Sequence, residues 1–414
     1  MLFRLEGTVG STLRVASCLA LATVFFAHAL GPRAAAAASI ISIGTGPATA
    51  PRAATSASDL SGDGSTVVGV LAHNLPTDDC SPSERSGFVW TEARGMTLID
   101  APEGFRLDPT SVSYDGRVVV GNLTGHETSP DEAFRWTESG GLESLGTGAA
   151  YGVSADGAYV FGSISTSSPY YYDIPVDVNT DPHAPPVPVD QRLIATEVFS
   201  ASADLSAFTG SAAFSPFDGP TVFRLEPGST QSPLPILPAG YDEWISYGTR
   251  ISADGSTIVG PINGPPYSRE DNRTEAFVWR EGEPLLPLGY VGIDLSDHPE
   301  SWARDVSGDG SVVVGYSYTA DDVSAFVWTE ETGMQSLEVL LTQAGVDLGD
   351  WELHDIAGIS DDGRTLVATG LDGVAFRSFL VVIPEPGTGL LLSLGLSFMA
   401  HHGRRSRNPS FGTC

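Results

Sequence analysis

The sequence predicts an all-β fold, a β-propeller of about seven four-stranded blades. Three observations predict it. A Ser-x-Asp-Gly motif recurs along the chain, a β-branched run ending in Gly follows each copy, and a Phe-x-Trp pair comes further on. The motif copies begin at Ser61, Ser113, Ser154, Ser252, Ser307 and Ser360, and a copy at Ser202 has Leu205 where the others have Gly. Steps of 52, 41, 48, 50, 55 and 53 residues separate them. A period near fifty, with several short apolar runs per period, matches units that bury their faces only against neighbours.

Each element of the repeat has a physical reading. The Asp-Gly pairs, Asp63-Gly64, Asp115-Gly116, Asp156-Gly157, Asp254-Gly255, Asp309-Gly310 and Asp362-Gly363, supply the positive φ that lets two strands close as a tight hairpin. These twelve residues are read as structural turns. The following runs, such as Val67-Val68-Gly69 and Val313-Val314-Gly315, lack alternation and so are expected to be buried on both faces. Phe88 and Trp90, Phe134 and Trp136, Phe277 and Trp279, and Phe326 and Trp328 stand two residues apart, placing both rings on one face of a third strand. Their recurrence makes them core, not a ligand platform. A short apolar segment such as Met334-Gln335-Ser336-Leu337 closes the unit as a fourth strand. The last unit runs out before a fourth strand, whereas 40–43, ahead of the first repeat, resembles one; these residues are expected to complete the last blade and remove an open edge. Copy three departs most, because 169–190 replaces its Phe-x-Trp region with a Tyr- and Pro-rich insertion expected to form a rim loop.

Composition bounds the function. The chain has 414 residues, 21 Lys plus Arg against 51 acidic residues, and a formal charge of −30. It contains no basic patch, which excludes nucleic acid as a partner, since phosphate binding needs clustered cations. Hydrophobic residues make up 41%, enough to form a core and exclude general disorder. Residues 1–38 have the order of a secretory signal peptide: Arg4 and Arg14, an apolar run over 15–30, and small residues at 34–38. Within 39–383, 15 of the 21 cations and 49 of the 51 acids remain, a net charge near −34, with Cys80 as the single cysteine and therefore no internal disulfide.

Residues 384–414 carry a second address: Pro384-Glu385-Pro386, a mostly apolar stretch over 387–400, then Arg404, Arg405 and Arg407. This order resembles the PEP-CTERM sorting signal of Gram-negative bacteria that make exopolysaccharide. The resemblance implies a short transmembrane helix with a basic cytoplasmic tail, recognition by an exosortase-type processing enzyme, and release to the cell surface or matrix. Membrane contact would be confined to that helix before processing. The succession of Ser-x-Asp-Gly, Val-Val-Gly and Phe-x-Trp over most of 55–383 also resembles the extracellular HAF-repeat proteins of bacteria. That family implies an exported repeat protein and carries no catalytic residues across.

No catalytic or cofactor-binding residue is marked by its local sequence. Glycoside cleavage needs a spaced carboxylate pair, and among so many acids no pair stands out. Calcium is the better-motivated ligand, because Asp59-x-Ser61-x-Asp63-Gly64 and Asp305-x-Ser307-x-Asp309-Gly310 alternate oxygen side chains before a Gly. The twelfth position of such a loop is Val70 or Tyr316, neither a bidentate acid, and turn chemistry alone accounts for the pattern. The reading is thus a non-catalytic binding or scaffolding module with extracellular polysaccharide or surface proteins as partners. The alternative is a glycosidase or lyase acting on exopolysaccharide.

Overall fold

The computed structural model describes residues 37–46, 53–73, 84–125, 130–164, 172–173, 176–177, 195–213, 221–226, 250–263, 274–292, 300–318 and 323–384. The stretch expected to be a signal peptide, up to residue 36, and the stretch expected to be a sorting signal, beyond Pro384 and including Glu385, Pro386, Arg404 and Arg405, lie outside them. Among the described residues no helix is long and apolar enough to cross a membrane.

The strands group into consecutive antiparallel units, each opened by one Ser-x-Asp hairpin. After β1 (Ser39–Ser42), unit 1 holds β2 (Ala54–Leu60), β3 (Thr66–His73), β4 (Glu84–Thr91) and β5 (Gly95–Ile99). Unit 2 holds β6 (Phe105–Val112), β7 (Val118–Gly125), β8 (Glu132–Thr137) and the start of β9 (Gly141–Val153), whose later part opens unit 3. In unit 3, β10 (Tyr159–Ile164) is flanked by two short segments of the insertion, β11 (Tyr172–Asp173) and β12 (Val176–Asp177). The insertion is therefore not wholly a rim loop, because two of its segments pair where a third strand would run.

Unit 4 holds β13 (Ala195–Ala201), β14 (Phe208–Ala213) and β15 (Thr221–Leu225). Unit 5 holds β16 (Arg250–Ile251), β17 (Thr257–Asn263), β18 (Thr274–Arg280) and β19 (Leu286–Pro287). Unit 6 holds β20 (Glu300–Val306), β21 (Val312–Tyr318), β22 (Val323–Thr329), β23 (Gly333–Ser336) and a helix, α1 (Leu337–Gln343). The helix is not foreseen in the repeat. Its signal is the spacing of Leu337 and Leu341, four apart and both buried on one face. Unit 7 holds β24 (Glu352–Ile359), β25 (Thr365–Leu371) and β26 (Phe376–Val382).

The edge of unit 7 is closed by β1. Ser39 pairs with Val382 and Ser42 with Phe379, antiparallel, so the first strand of the fold is the fourth strand of the last unit. The pairing covers the long β26 and leaves only the four-residue β1 as the edge, a short one that is a poor template for another chain.

Burial explains why the units stand side by side. The described core falls into seven clusters, and each joins neighbours in a cycle. Phe326 and Trp328 of unit 6 pack on Val259, Ala276 and Val278 of unit 5, and Phe88 and Trp90 of unit 1 pack on Val367 and Leu380 of unit 7. The recurrent Phe therefore faces the preceding unit every time it occurs. The cluster between units 2 and 3 has only Val and Ala at its centre, because the insertion takes the place of Phe-x-Trp. The fold is an all-β propeller.

Candidate functional site

The Ser-x-Asp turns share one geometry. At Ser307, the hydroxyl donates to Asp309 Oδ1 at 2.8 Å, the Ser311 amide donates to the same oxygen at 2.9 Å, and the Val312 amide donates to Ser307 Oγ at 3.0 Å. The other six copies repeat the pattern, including Ser202–Asp204, where Leu205 takes the glycine's place at φ 60°. The Asp, not the Gly, thus carries the turn. Partial burial opposes ionisation of Asp63, Asp254 and Asp309, but hydrogen bonds from Ser61 and Ser65, and from their counterparts at 252 and 256 and at 307 and 311, outweigh it and hold these carboxyls below the usual range.

A second requirement falls on the turn glycines. A Cβ on Gly310 would lie 2.7 Å from Thr257 Cβ in unit 5 and closer still to Thr257 Oγ1, whereas Gly95, also at positive φ, has open space around it. Gly95→Ala is expected to cost about 1–2 kcal/mol from backbone conformation alone. Gly310→Ala should cost at least about 2 kcal/mol more through the clash. Equal losses in denaturant titrations would show that the contact between units does not constrain the turn.

The turns also bond to one another. Asp63 N donates to Tyr114 O, Tyr114 N to Ala155 O, Ala203 N to Ala253 O, Asp254 N to Gly308 O, Gly308 N to Asp361 O and Asp361 N to Gly62 O, at 2.8–3.1 Å. These bonds run from the fourth turn through the seventh to the first and on to the third. Hydrogen bonds at this end hold the units at fixed mutual angles around an axis.

One residue per unit, two before the motif Ser, lines that axis: Asp59, Ser111, Gly152, Ser200, Arg250, Asp305 and Gly358 in chain order, the two glycines with backbone only. A register shift precedes this residue in six of the first strands, and such a bulge re-aims the side chain that follows it. The contacts prove the direction. Arg250 of unit 5 places Nη2 3.9 Å from Asp59 Oδ1 of unit 1 and Nε 3.7 Å from Asp305 Oδ1 of unit 6, so it spans units that are not neighbours.

Both acids are buried and held by backbone as well. Asp59 accepts from Leu60 N and, in the next unit, Val112 N at 3.0 Å each, while Asp305 accepts from Val306 N at 2.9 Å and Ile359 N at 2.8 Å. At Gly358 the wall is so close that a Cβ would meet Leu60 N at 2.8 Å. Burial raises both carboxyls against the pull of Arg250; Asp305, which also feels the charge of Asp59, is pushed up to about 7.

This arrangement settles where the residues of the calcium-like pattern sit. Asp63 and Asp309 are engaged in their own turns, while Asp59 and Asp305 turn to the axis and Arg250, so each pattern's oxygens serve separate partners. Among the described residues no group of three or more His, Cys, Asp or Glu could hold a metal ion. Sequence reasoning missed Arg250. The signal was present as the one cation in a column that holds two acids. On the turn side, a groove of about 780 Å³ between units 1 and 2 is bridged by an exposed Arg94–Glu138 pair at 2.7 Å. Such a pair adds little to stability.

Fold and axis together define the chain as a β-propeller with an acid–arginine–acid triad on its axis. No protein-family model matches it, and no curated relative does. Solved structures match in fold. The β-propeller domain of the Trilobed protease from Pyrococcus furiosus aligns at a TM-score of 0.52 and 10% identity, over 80% of this chain and 95% of that one. An oligogalacturonate lyase from Vibrio parahaemolyticus aligns at 0.50 and 12%, over 84% and 98%. A Pyrococcus horikoshii acylaminoacyl peptidase aligns at 0.50 and 10%, over 82% of this chain and 54% of its own. At these identities the likeness is one of fold, shared by chains of different activity.

Proposed function

We propose that residues 39–383 form an exported seven-bladed propeller that binds or scaffolds without catalysis at the surface or in the matrix of a Gram-negative bacterium. The observation that carries this reading is the closure. The ring begins at β1, next to the end of the predicted signal peptide, and ends at β26, next to Pro384, with Ser39 paired to Val382. Cleavage near 38 and processing at 384–386 would both leave the ring whole. The axial acids support a structural part for the axis, since Asp59 and Asp305 are occupied by backbone amides and Arg250. Rigid units then hold the rim loops in place, and the loops meet the partner.

Mass spectrometry of the protein recovered from the producing cells tests the address, with ends near residue 39 and just past Pro386 as the expected result. An intact basic tail on surface-exposed protein would overturn the exosortase part. Incubation with the organism's own exopolysaccharide, followed by sizing of the polymer, tests the rest. Co-sedimentation with unchanged chain length fits a binding module. Shortened polymer would overturn it in favour of a glycosidase or lyase.

A further inference from the structure

The recurrent aromatics are core, but unit 6 carries others that the repeat does not ask for. Trp302 on β20 and Tyr316 on β21 are cross-strand partners, with ring centroids 6.2 Å apart and planes 8° from parallel. Tyr318 meets Tyr316 edge-on at 5.6 Å, and the guanidinium of Arg304 lies 5.0 Å above the Tyr316 ring. Arg304 Nη2 reaches Asp355 Oδ2 of unit 7 at 3.4 Å. The cluster stands where the first strand begins and the second ends, away from the Ser-x-Asp turns. At the same paired position the other units for which it is described hold no aromatic, as in Ser56 with Val70, Asp108 with Asn122 and Asp355 with Thr369. The fold therefore closes without these rings.

Three properties point to a ligand. Tyr318 is 42% exposed and stands edge-on to the partly buried Tyr316, so its ring meets water with the Trp302–Tyr316 pair behind it. Trp302 Nε1 and Asp355 Oδ1 are buried atoms with no hydrogen-bond partner among the described residues. A buried polar group left unpaired is destabilising, and ligand hydroxyls accepting from the indole or donating to the carboxylate would meet these unfilled needs. Arg304, with nearly half its side chain exposed, supplies further donors beside the same acid.

We infer that the exposed Tyr318 ring, held by the Trp302–Tyr316 stack behind it, is a stacking surface for a pyranose ring, whose hydroxyls bond to Asp355, Arg304 and the Trp302 indole. The inference rests on the binding-module reading and names its ligand class. A sugar ring combines an apolar C–H face with hydroxyls at its edge, the two features this surface offers together. Nucleotides also stack, but their phosphates are repelled by a chain of formal charge −30. The Tyr316 hydroxyl is pushed up to about 12 by burial and so remains a neutral donor at any working pH.

Calorimetric titration of the purified protein with maltoheptaose, cellohexaose, chitohexaose and trigalacturonate tests this, with tryptophan fluorescence read in parallel and uridine monophosphate as the comparison. At least one sugar should bind at millimolar concentration or tighter and change the fluorescence. Trp302→Ala should weaken that sugar about tenfold or more. Tyr318→Ala and Arg304→Gln, both at exposed side chains, guard against a folding defect and should weaken it as well. Tyr114→Ala, at the turn end, should leave it unchanged. A preference for trigalacturonate that disappears in Arg304→Gln would identify an acidic sugar, whereas binding of the neutral oligosaccharides alone would identify a neutral one. Sugar binding unaltered in Trp302→Ala and Tyr318→Ala would overturn the site while leaving the binding module standing. No sugar bound, or uridine monophosphate bound instead, would overturn the glycan inference outright; polymer shortening by the intact protein would overturn the module reading itself.

Discussion

Arg250→Met is expected to destabilise the folded protein by about 3–5 kcal/mol at pH 8, and by much less at pH 5. At pH 8 the substitution leaves two buried carboxylates, Asp59 and Asp305, around an axis with no cation between them. At pH 5 the proton settles the conflict. Asp305 is pushed up to about 7 in the folded protein by burial, so it takes up a proton near neutrality, and loss of Arg250 raises it further.

The unmodified protein should show the same dependence in weaker form. A carboxyl raised on folding binds more protons in the folded state, so its contribution is fully present below the unfolded value near 4 and is lost as pH rises through about 7. Denaturant titrations should therefore find a gain of roughly 2–4 kcal/mol on going from pH 8 to pH 5, and Asp305→Asn should flatten that slope. Below about pH 4 the turn acids act in the opposite sense. Asp63, Asp204, Asp254 and Asp309 are held low, so their contribution exists above the unfolded value and is lost on acidification. A stability that rises steadily from pH 5 to pH 8 would contradict the axial assignment. As a further check, replacing all three members (Asp59→Asn, Arg250→Met, Asp305→Asn) should recover most of the loss, because breaking a buried ion group costs more than removing it.

Phe326→Ala is expected to cost about 3–5 kcal/mol, the range for emptying a large aromatic from a packed interior. Phe326 is 0% exposed and sits between units 5 and 6 with Val259, Ala276 and Val278. Phe376, at 50% exposure on unit 7, is the comparison; Phe376→Ala should change stability by less than about 1 kcal/mol. Both substitutions remove the same atoms, so the difference isolates burial between units. Comparable unfolding midpoints for the two variants would show that the clusters between units do not hold the ring together.

Much of the fold is legible locally. Asp-Gly can turn two strands because glycine accepts positive φ, and Phe-x-Trp must share a face because strand side chains alternate. Both statements hold wherever the chain goes, so the hairpins at Asp63, Asp115, Asp156, Asp254, Asp309 and Asp362 and the burial of Phe88, Phe134, Phe277 and Phe326 follow from spacing. Even the closing strand was readable, since β26 needed a partner and 40–43 had a fourth strand's character. At Leu205 the local rule failed instructively. The glycine is missing, yet the turn persists because Ser202 and Asp204 make the same hydrogen bonds.

What spacing could not reveal is which polar residues meet. Arg250 and Asp59 are far apart in the chain, in units that are not neighbours, and only closure around an axis brings them to 3.9 Å. Trp302 and Tyr316 meet through strand register within unit 6, and Asp355 joins Arg304 beside them only when unit 7 stands next to it. The sequence by itself thus determined the repeat, its turns and its core, because those depend on backbone conformation and alternation within a few residues. The tertiary structure decided the axial triad and the aromatic rim, because long-range contacts are set by the angle at which one unit packs on the next.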